Sequence, residues 1–330
     1  MTKKILITGG GGFIGSNLVE NLIKEGKKLK VLIKYNKENK LGWIENLKYE
    51  KNLEIVFGDI IDANFVKNIT KDCHTIINLA ALIGIPYSYI NPESYIKTNL
   101  VGTMNLLNSC IENSVNKFVH TSTSEVYGTA QYCPIDEHHP MVAQSPYAAS
   151  KIAADQLCLS YYRSFNTPVS ILRPFNTFGP RQSMRAVIPT IIVQSLSKNT
   201  ISLGNIYAKR SFNYVDDTVD GFKKIINKKN NKFGEIYNIG ISYNLSIKEV
   251  VGIVSDILGK KIYIKTDKSR IRNKKSEVMI LSCNSSKFRK SYSWFPKYNN
   301  KSMFIKAIEK TIDWISRNKN QYVNYNEYNI

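Results

Sequence analysis

Lys4-Ile5-Leu6-Ile7-Thr8-Gly9-Gly10-Gly11-Gly12-Phe13-Ile14-Gly15 decides how the rest of this chain is read. Lys4–Thr8 is a short run around apolar Ile5-Leu6-Ile7, of the kind that forms a strand buried on both faces of a parallel sheet. A glycine turn follows, then an amphipathic stretch to about Lys24 with Gly26 as its stop, which predicts a helix. Strand, glycine turn and helix in that order give a glycine motif its meaning. The small residues let backbone approach a pyrophosphate, and the helix start offers it unpaired N–H groups. The spacing fits G-x-G-x-x-G through Gly10, Gly12 and Gly15, and G-x-x-G-x-x-G through Gly9, Gly12 and Gly15. Gly9, Gly12, Phe13, Ile14 and Gly15 are therefore candidate dinucleotide contacts.

Working outward, the same alternation repeats. Leu29–Ile33, Leu53–Phe57, Thr75–Leu79, Lys117–His120 and Val169–Arg173 read as strands; about Asp62 onward, Pro92–Asn113 and Tyr147–Phe165 read as helices. This predicts an α/β fold, a Rossmann-type doubly wound parallel sheet with ligands at the carboxyl ends of its strands. After Arg173 the texture becomes turn-rich. Residues 1–174 are read as the dinucleotide-binding domain, with 211–240 returning to it. Residues 175–210 and 241–317 are read as a smaller C-terminal α/β substrate-binding part, and 318–330 as a flexible tail. The second strand ends in Lys34-Tyr35-Asn36, where a dinucleotide site usually carries an acid for the ribose hydroxyls. Lys34 would attract a 2′-phosphate, which favours NADP over NAD; a solvent-facing lysine at a strand end is the alternative.

Tyr147-Ala148-Ala149-Ser150-Lys151 opens the later helix. Residues four apart share a helix face, so a neighbouring ammonium could lower the phenol of Tyr147 toward use as a base. Thr123, Ser124 and Glu125, just past strand Lys117–His120, would face it with hydroxyls and a carboxylate.

Composition bounds the alternatives. Of 330 residues, 43% are hydrophobic and 22% charged, ordinary for a globular protein. The net charge of +20 comes from lysines and arginines spread along the chain, with no nucleic-acid-binding motif, so a nucleic-acid partner is not expected. No run approaches the roughly 18 apolar residues a membrane helix needs. Met1-Thr2-Lys3-Lys4-Ile5 enters a strand at once, so no signal peptide is expected. Five scattered cysteines without metal-ligand spacing suit free thiols in a reducing cytoplasm and predict no metal site.

These pieces together resemble the extended short-chain dehydrogenase/reductases that modify nucleotide sugars. The resemblance rests on Thr8–Gly15, Gly58-Asp59, Leu79-Ala80-Ala81, Thr98-Asn99 with Gly102-Thr103, Ser122–Gly128, Tyr147-x-x-x-Lys151, Arg173-Pro174-x-Asn176 and Arg210–Asp217. Ser122-Thr123-Ser124-Glu125 is similar to GDP-mannose 4,6-dehydratases and UDP-glucuronate decarboxylases. Tyr35-Asn36, Gly42-Trp43, Ala81-Leu82-Ile83, Ile85–Tyr89 and Thr129–Tyr132 resemble the GDP- or UDP-N-acetylglucosamine 4,6-dehydratases of legionaminic-acid-type pathways. The resemblance implies Tyr147 as base at the sugar 4-hydroxyl, Lys151 as its partner, and Thr123 on the 4-oxygen. It implies Glu125 as base at C5, with Ser124 or Glu125 as acid at C6. It further implies Asp59, Ile60, Leu79, Ala80 and Ala81 against the cofactor. For the nucleotide-diphosphate sugar it implies Asn176, Arg210 and Arg272, with Asn238 and Arg185 as further candidates. A cytoplasmic homodimer joined through Pro92–Asn113 and Tyr147–Phe165 is also implied. A decarboxylase or 4-epimerase is the runner-up, and a non-catalytic dinucleotide binder the remote alternative.

Overall fold

The computed structural model describes residues 4–271, 273 and 275–322. Its main sheet has seven strands, numbered here β1 (Lys4–Thr8), β2 (Leu29–Lys34), β3 (Leu53–Gly58), β4 (Cys73–Asn78), β5 (Lys117–Thr121), β6 (Val169–Pro174) and β7 (Glu235–Ile239). They lie in the order β7-β6-β5-β4-β1-β2-β3, and every neighbouring pair is parallel. This is the doubly wound sheet expected from the alternation. The chain reverses direction across the sheet between β1 and β4, where such folds open a ligand crevice beyond the strand ends.

The apolar runs are continuous because both faces are covered. In β1, Ile5 and Ile7 join one core while Leu6 joins the other. Leu18, Val19 and Leu22 of helix Phe13–Lys24, with Val215, Val219 and Phe222 of helix Val215–Asn227, cover the first face. Val66 and Ile69 of helix Ala63–Thr70, Leu106 and Leu107 of Gly102–Glu112, and Cys158 and Leu159 of Pro146–Phe165 cover the second.

The helix expected over Pro92–Asn113 is divided into three segments: α-helical Pro92–Tyr95, a wider π-helical Ile96–Val101, then α-helical Gly102–Glu112. The wide turn carries Asn99 inward, 1% exposed, where its amide bonds the backbone N–H and carbonyl of Leu82 (2.9 and 3.0 Å) and Ser150 Oγ (2.9 Å). The loop beyond β4 is thereby tied to the helix that bears Tyr147.

Beyond β6 the chain forms short paired strands and the helices Val187–Ser197, Ile247–Leu258 and Lys301–Arg317. Ile191, Val254 and Phe304 on these helices belong to the same core as β1, so this part is welded to the main sheet rather than hung from it. The tail expected to be loose is docked over its first residues. Tyr322 is 5% exposed, its ring lies 6.5 Å from Trp43 and 6.1 Å from Trp314, and its hydroxyl donates to the Gln182 carbonyl at 3.1 Å. Aromatic burial there outweighs the polar composition of the segment. Residues 323–330 lie outside the described residues.

Candidate active site

One cavity of about 950 Å³ runs along the carboxyl ends of the strands. Its first end is built from backbone. Gly9 sits at φ +68°, a conformation that favours glycine, and a Cβ on Gly15 would lie 2.3 Å from the Gly9 carbonyl oxygen. A Cβ on Gly12 would meet only that same oxygen, at 3.3 Å, so Gly12 faces the cavity. Gly12 is also the N-cap of helix Phe13–Lys24, with no side-chain cap and no acid in the first turn. The helix start thus presents N–H groups to the cavity as an anion site. Thr8 Oγ1 receives the N–H groups of Leu79 (3.2 Å) and Ala80 (3.1 Å) and donates to Asn78 Oδ1 (2.8 Å), locking the ends of β1 and β4 together.

Phe13, Ile14, Asp59, Ile60, Leu79, Ala80 and Ala81 all line this end. Lys34 lines it too, with its side chain 73% exposed and its Nζ 3.3 Å from Asp59 Oδ2. A carboxylate, that of Asp59 just beyond β3, thus stands beside Lys34 although none follows the second strand in the sequence. Four cavity-lining residues carry buried polar atoms without a hydrogen-bond partner: Thr121 Oγ1, Asn176 Oδ1, Arg181 Nη1 and Gln182 Oε1. A glycine cradle at a helix start, with orphaned polar atoms farther along, fits a dinucleotide and a second polar ligand.

The other end is built from side chains. Ser145 caps helix Pro146–Phe165 by accepting from the Ala148 N–H at 3.1 Å, with Pro146 in the first turn, so the helix starts just before Tyr147. Tyr147 and Lys151 are buried, one turn apart on the same face. Thr123, whose side chain lowers the pKa of the Tyr147 phenol, accepts from the Glu125 N–H at 3.2 Å, capping the short turn Ser124–Tyr127. That turn brings Ser124 and Glu125 to the same wall as Tyr147. Tyr95, with its ring 6.2 Å from that of Tyr147, backs the phenol; its own hydroxyl donates to the Gly84 carbonyl.

The charges differ from expectation in one respect. Burial pushes the Tyr147 phenol up, the Thr123 hydrogen bond lowers it, and Glu125 raises it further. Lys151 Nζ does not reach for the phenol: it donates to the Thr121 carbonyl at 2.6 Å. Burial pushes the Lys151 ammonium down to about 8, against an upward pull from Asp155. Burial thus works against a phenolate at Tyr147, and Lys151 is bonded to the Thr121 carbonyl instead of countering it.

Among the substrate candidates, Asn176 and Arg185 line the cavity. Arg210 is buried off the cavity, donating to the carbonyls of Lys209 (2.9 Å) and Val278 (2.6 Å) with Glu277 3.9 Å away. Asn238 is fully buried, accepting from the Tyr127 hydroxyl at 2.6 Å and donating to the Ile135 carbonyl at 3.2 Å. Its amide is spent on the protein, since a buried amide must satisfy its own hydrogen bonds. Arg272 lies outside the described residues. Sequence reading missed Arg181, Gln182 and Tyr322 as wall residues. No spacing rule could have found Tyr322, which arrives from the far end of the chain. Among the described residues, no helix is long and apolar enough to cross a membrane and no cluster could hold a metal ion.

Comparison with known proteins agrees with this geometry. The sequence profile of the GDP-mannose 4,6 dehydratase family matches residues 6–307. The dTDP-D-glucose 4,6-dehydratase of Homo sapiens is 30% identical over 98% of this chain and 92% of its own. Among solved structures, the dTDP-glucose 4,6-dehydratase DesIV of Streptomyces venezuelae, with NAD bound, superposes with a TM-score of 0.86 at 28% identity, covering 97% of this chain and 99% of that one. The UDP-glucuronic acid 4-epimerase of Bacillus cereus, in complex with UDP-glucuronic acid and NAD, gives 0.86 at 28% identity over 95% and 99%. With the glycine cradle and the Tyr147–Lys151 pair on one cavity wall, these similarities lead to one conclusion: the chain belongs to the GDP-mannose 4,6 dehydratase family and is an enzyme of the extended short-chain dehydrogenase/reductase group acting on nucleotide sugars.

Proposed function

We propose that this enzyme is an NAD(P)-dependent nucleotide-sugar 4,6-dehydratase acting on GDP- or UDP-N-acetylglucosamine to give the 4-keto-6-deoxy sugar. The observation that carries this reading is the wall shared by Tyr147, Thr123, Ser124 and Glu125, in which Thr123 accepts from the Glu125 N–H. When bound, the oxidised dinucleotide supplies a reversible two-electron acceptor and a positive charge. Gly9, Gly12, Phe13, Ile14 and Gly15 would hold its pyrophosphate, and Asp59, Ile60, Leu79, Ala80 and Ala81 would line its adenosine and nicotinamide ends.

With the positive charge of the bound dinucleotide favouring its phenolate, Tyr147 would take the proton of the sugar 4-hydroxyl, while Thr123 hydrogen-bonds the 4-oxygen. Glu125 then removes the C5 proton, which a ketone at C4 acidifies. Ser124, or Glu125 in its protonated form, protonates the C6 oxygen as water leaves. A carboxyl is the better acid, and Ser124 is only 2% exposed, so Glu125 serves both steps more readily. Asn176 and Arg185 are proposed for the substrate diphosphate, the latter because guanidinium suits phosphate oxygens. The N-acetylglucosamine assignment rests on the Ile85–Tyr89 and Thr129–Tyr132 likeness, and is supported by the apolar wall of Leu82, Ile83, Ile85 and Pro86 beside Tyr147. NADP is favoured through Lys34. A homodimer through the two long helices is supported by exposed Ile96, Ile111, Tyr162 and Phe165 on them.

A uronic-acid decarboxylase or epimerase is the second reading, favoured by one observation: Arg181 and Arg185 both line the cavity and could meet a carboxylate. Product mass separates the three. Purified enzyme incubated with GDP- and UDP-hexoses should release product lighter by one water and, in deuterated water, labelled at C5. Loss of carbon dioxide would assign a decarboxylase, and unchanged mass with inverted C4 an epimerase.

A further inference from the structure

Behind Tyr147 and Lys151 lies a buried ionic cluster that the reaction above does not use. Helix Pro146–Phe165 carries Tyr147, Lys151 and Asp155 at successive four-residue steps, so all three face β5. Asp155 is wholly buried. Its Oδ2 accepts from Ser122 Oγ (2.8 Å) and from Arg173 Nε (3.0 Å) and Nη2 (2.9 Å). Its Oδ1 is buried and has no hydrogen-bond partner. An ammonium one helical turn away is the obvious partner for that oxygen, because a buried carboxylate oxygen without a donor is costly. Yet Lys151 and Asp155 form no ion pair among the described residues. The His120 imidazole is wedged at this point, its Nε2 3.4 Å from Lys151 Nζ and 3.6 Å from Asp155 Oδ1.

The ring is held in place by the strand ends. Thr8 Oγ1 is occupied as an acceptor by two backbone N–H groups, so its hydroxyl donates to Asn78 Oδ1. That turns the Asn78 amide nitrogen toward Thr103 Oγ1 (3.2 Å) and His120 Nδ1 (3.5 Å). Both ring nitrogens thus face donors, the Asn78 amide at Nδ1 and the Lys151 ammonium at Nε2, with Asp155 Oδ1 also beside Nε2. Burial, Lys151 and Arg173 hold His120 well below its ordinary pKa, so the ring is neutral.

We infer that His120 is a positioning residue: its neutral ring is a spacer that keeps the Lys151 ammonium off Asp155 and so leaves it on the cavity wall beside Tyr147. The inference rests on the reading of Lys151 as catalytic. Asp155 and Cys158 on its own helix pull the Lys151 pKa up against burial. The other titratable groups of the cluster are His120 from β5 and Arg173 from β6, which acts on His120, and Tyr147, on which Glu125 and Tyr95 act. Of these, Asp155 is the one whose attraction would pull Nζ inward once the ring is gone, and in a dry site that attraction is strong.

Crystal structures of His120→Ala and His120→Phe test this directly. In His120→Ala, Lys151 Nζ should leave the Thr121 carbonyl and pair with Asp155 Oδ1. In His120→Phe, which keeps the ring and loses both nitrogens, it should stay. Turnover should follow, falling about 10²-fold or more in His120→Ala through misplacement and much less in His120→Phe. The basic limb of the pH profile should move upward by about one unit in His120→Ala, since an ion pair raises a lysine pKa, a change that mere loss of stability would not produce. Should His120→Ala fail to fold, His120→Asn removes the ring in its place. Nζ remaining on Thr121 in the ringless variant, or leaving it in His120→Phe, overturns the inference. If wild-type enzyme turns over no nucleotide sugar, the dehydratase reading fails while the crystallographic distances still decide this one.

Discussion

At the Gly9–Gly15 end of the cavity the wall is main chain, positioned by what a Cβ would strike; at the β5 end it is ionisable side chains, positioned by each other. A Cβ on Gly15 would sit 2.3 Å from a carbonyl oxygen, and no neighbouring charge alters that. At the other end Tyr147, Lys151, Asp155, Arg173 and His120 are all buried, and burial with neighbouring charges shifts Tyr147, Lys151 and His120. The first end should therefore fail sterically and locally. The second should fail electrostatically, with effects that reach across the cluster.

The largest expected effect lies at the side-chain end. Tyr147→Phe keeps the ring packed against Tyr95 and removes the proton acceptor. Turnover should fall by about 10³-fold, within the range of general-base removal, while NAD(P) affinity measured by calorimetry stays near wild type. A comparable loss of affinity would show that the two ends are not separable. Glu125→Gln comes next, with a loss of about 10²-fold or more. Because oxidation at C4 does not need this carboxylate, bound cofactor should accumulate in reduced form, seen in its near-ultraviolet absorbance. Normal turnover would remove Glu125 from the mechanism.

Gly15→Ala probes the main-chain end. The clash with the Gly9 carbonyl should weaken cofactor binding by about tenfold or more, a few kcal/mol of strain at most, with the pH profile of the remaining activity unchanged. A shifted profile would link the glycine turn to the ionic cluster. The pH dependence of wild type is itself a test of the second end. A lysine whose pKa is lowered to about 8 keeps its ammonium below that pH and loses it above. Activity that needs the ammonium should thus decline as pH rises through about 8, toward tenfold per unit, and activity still climbing there would show that Lys151 acts uncharged. The smallest effect belongs to Lys34, 73% exposed and paired with Asp59. Lys34→Ala should reduce any preference for NADP over NAD by about 1 kcal/mol, roughly fivefold, as exposed ion pairs allow. Equal affinity of the wild type for both cofactors would make Lys34 a bystander.

Much of the main-chain end was legible beforehand because its signals are local. Apolar runs, glycines at fixed spacing and a helix start within 12 residues specify strand, turn and helix through short-range sterics. Tyr147 and Lys151 were legible for the same reason, since a four-residue step on a helix fixes a common face. Asp155 continues that step by one more turn, but the periodicity could not say that His120 would intervene between it and Lys151. Asn238 and Arg210 show the opposite failure. Their residue types suit a phosphate, yet packing turned Asn238 to Tyr127 and the Ile135 carbonyl, and Arg210 to backbone carbonyls.

By itself the sequence determined the order of strands and helices, the glycine turn and the Tyr147–Lys151 step, because each depends on residues close together in the chain. The tertiary structure alone decided that Asp59 meets Lys34, that Tyr322 closes the cavity against Trp43, and that burial lifts the Tyr147 phenol while lowering the Lys151 ammonium. Those outcomes depend on which distant groups share a volume and how much water they exclude. Desolvation and contact are properties of the packed molecule, and no spacing along the chain encodes them.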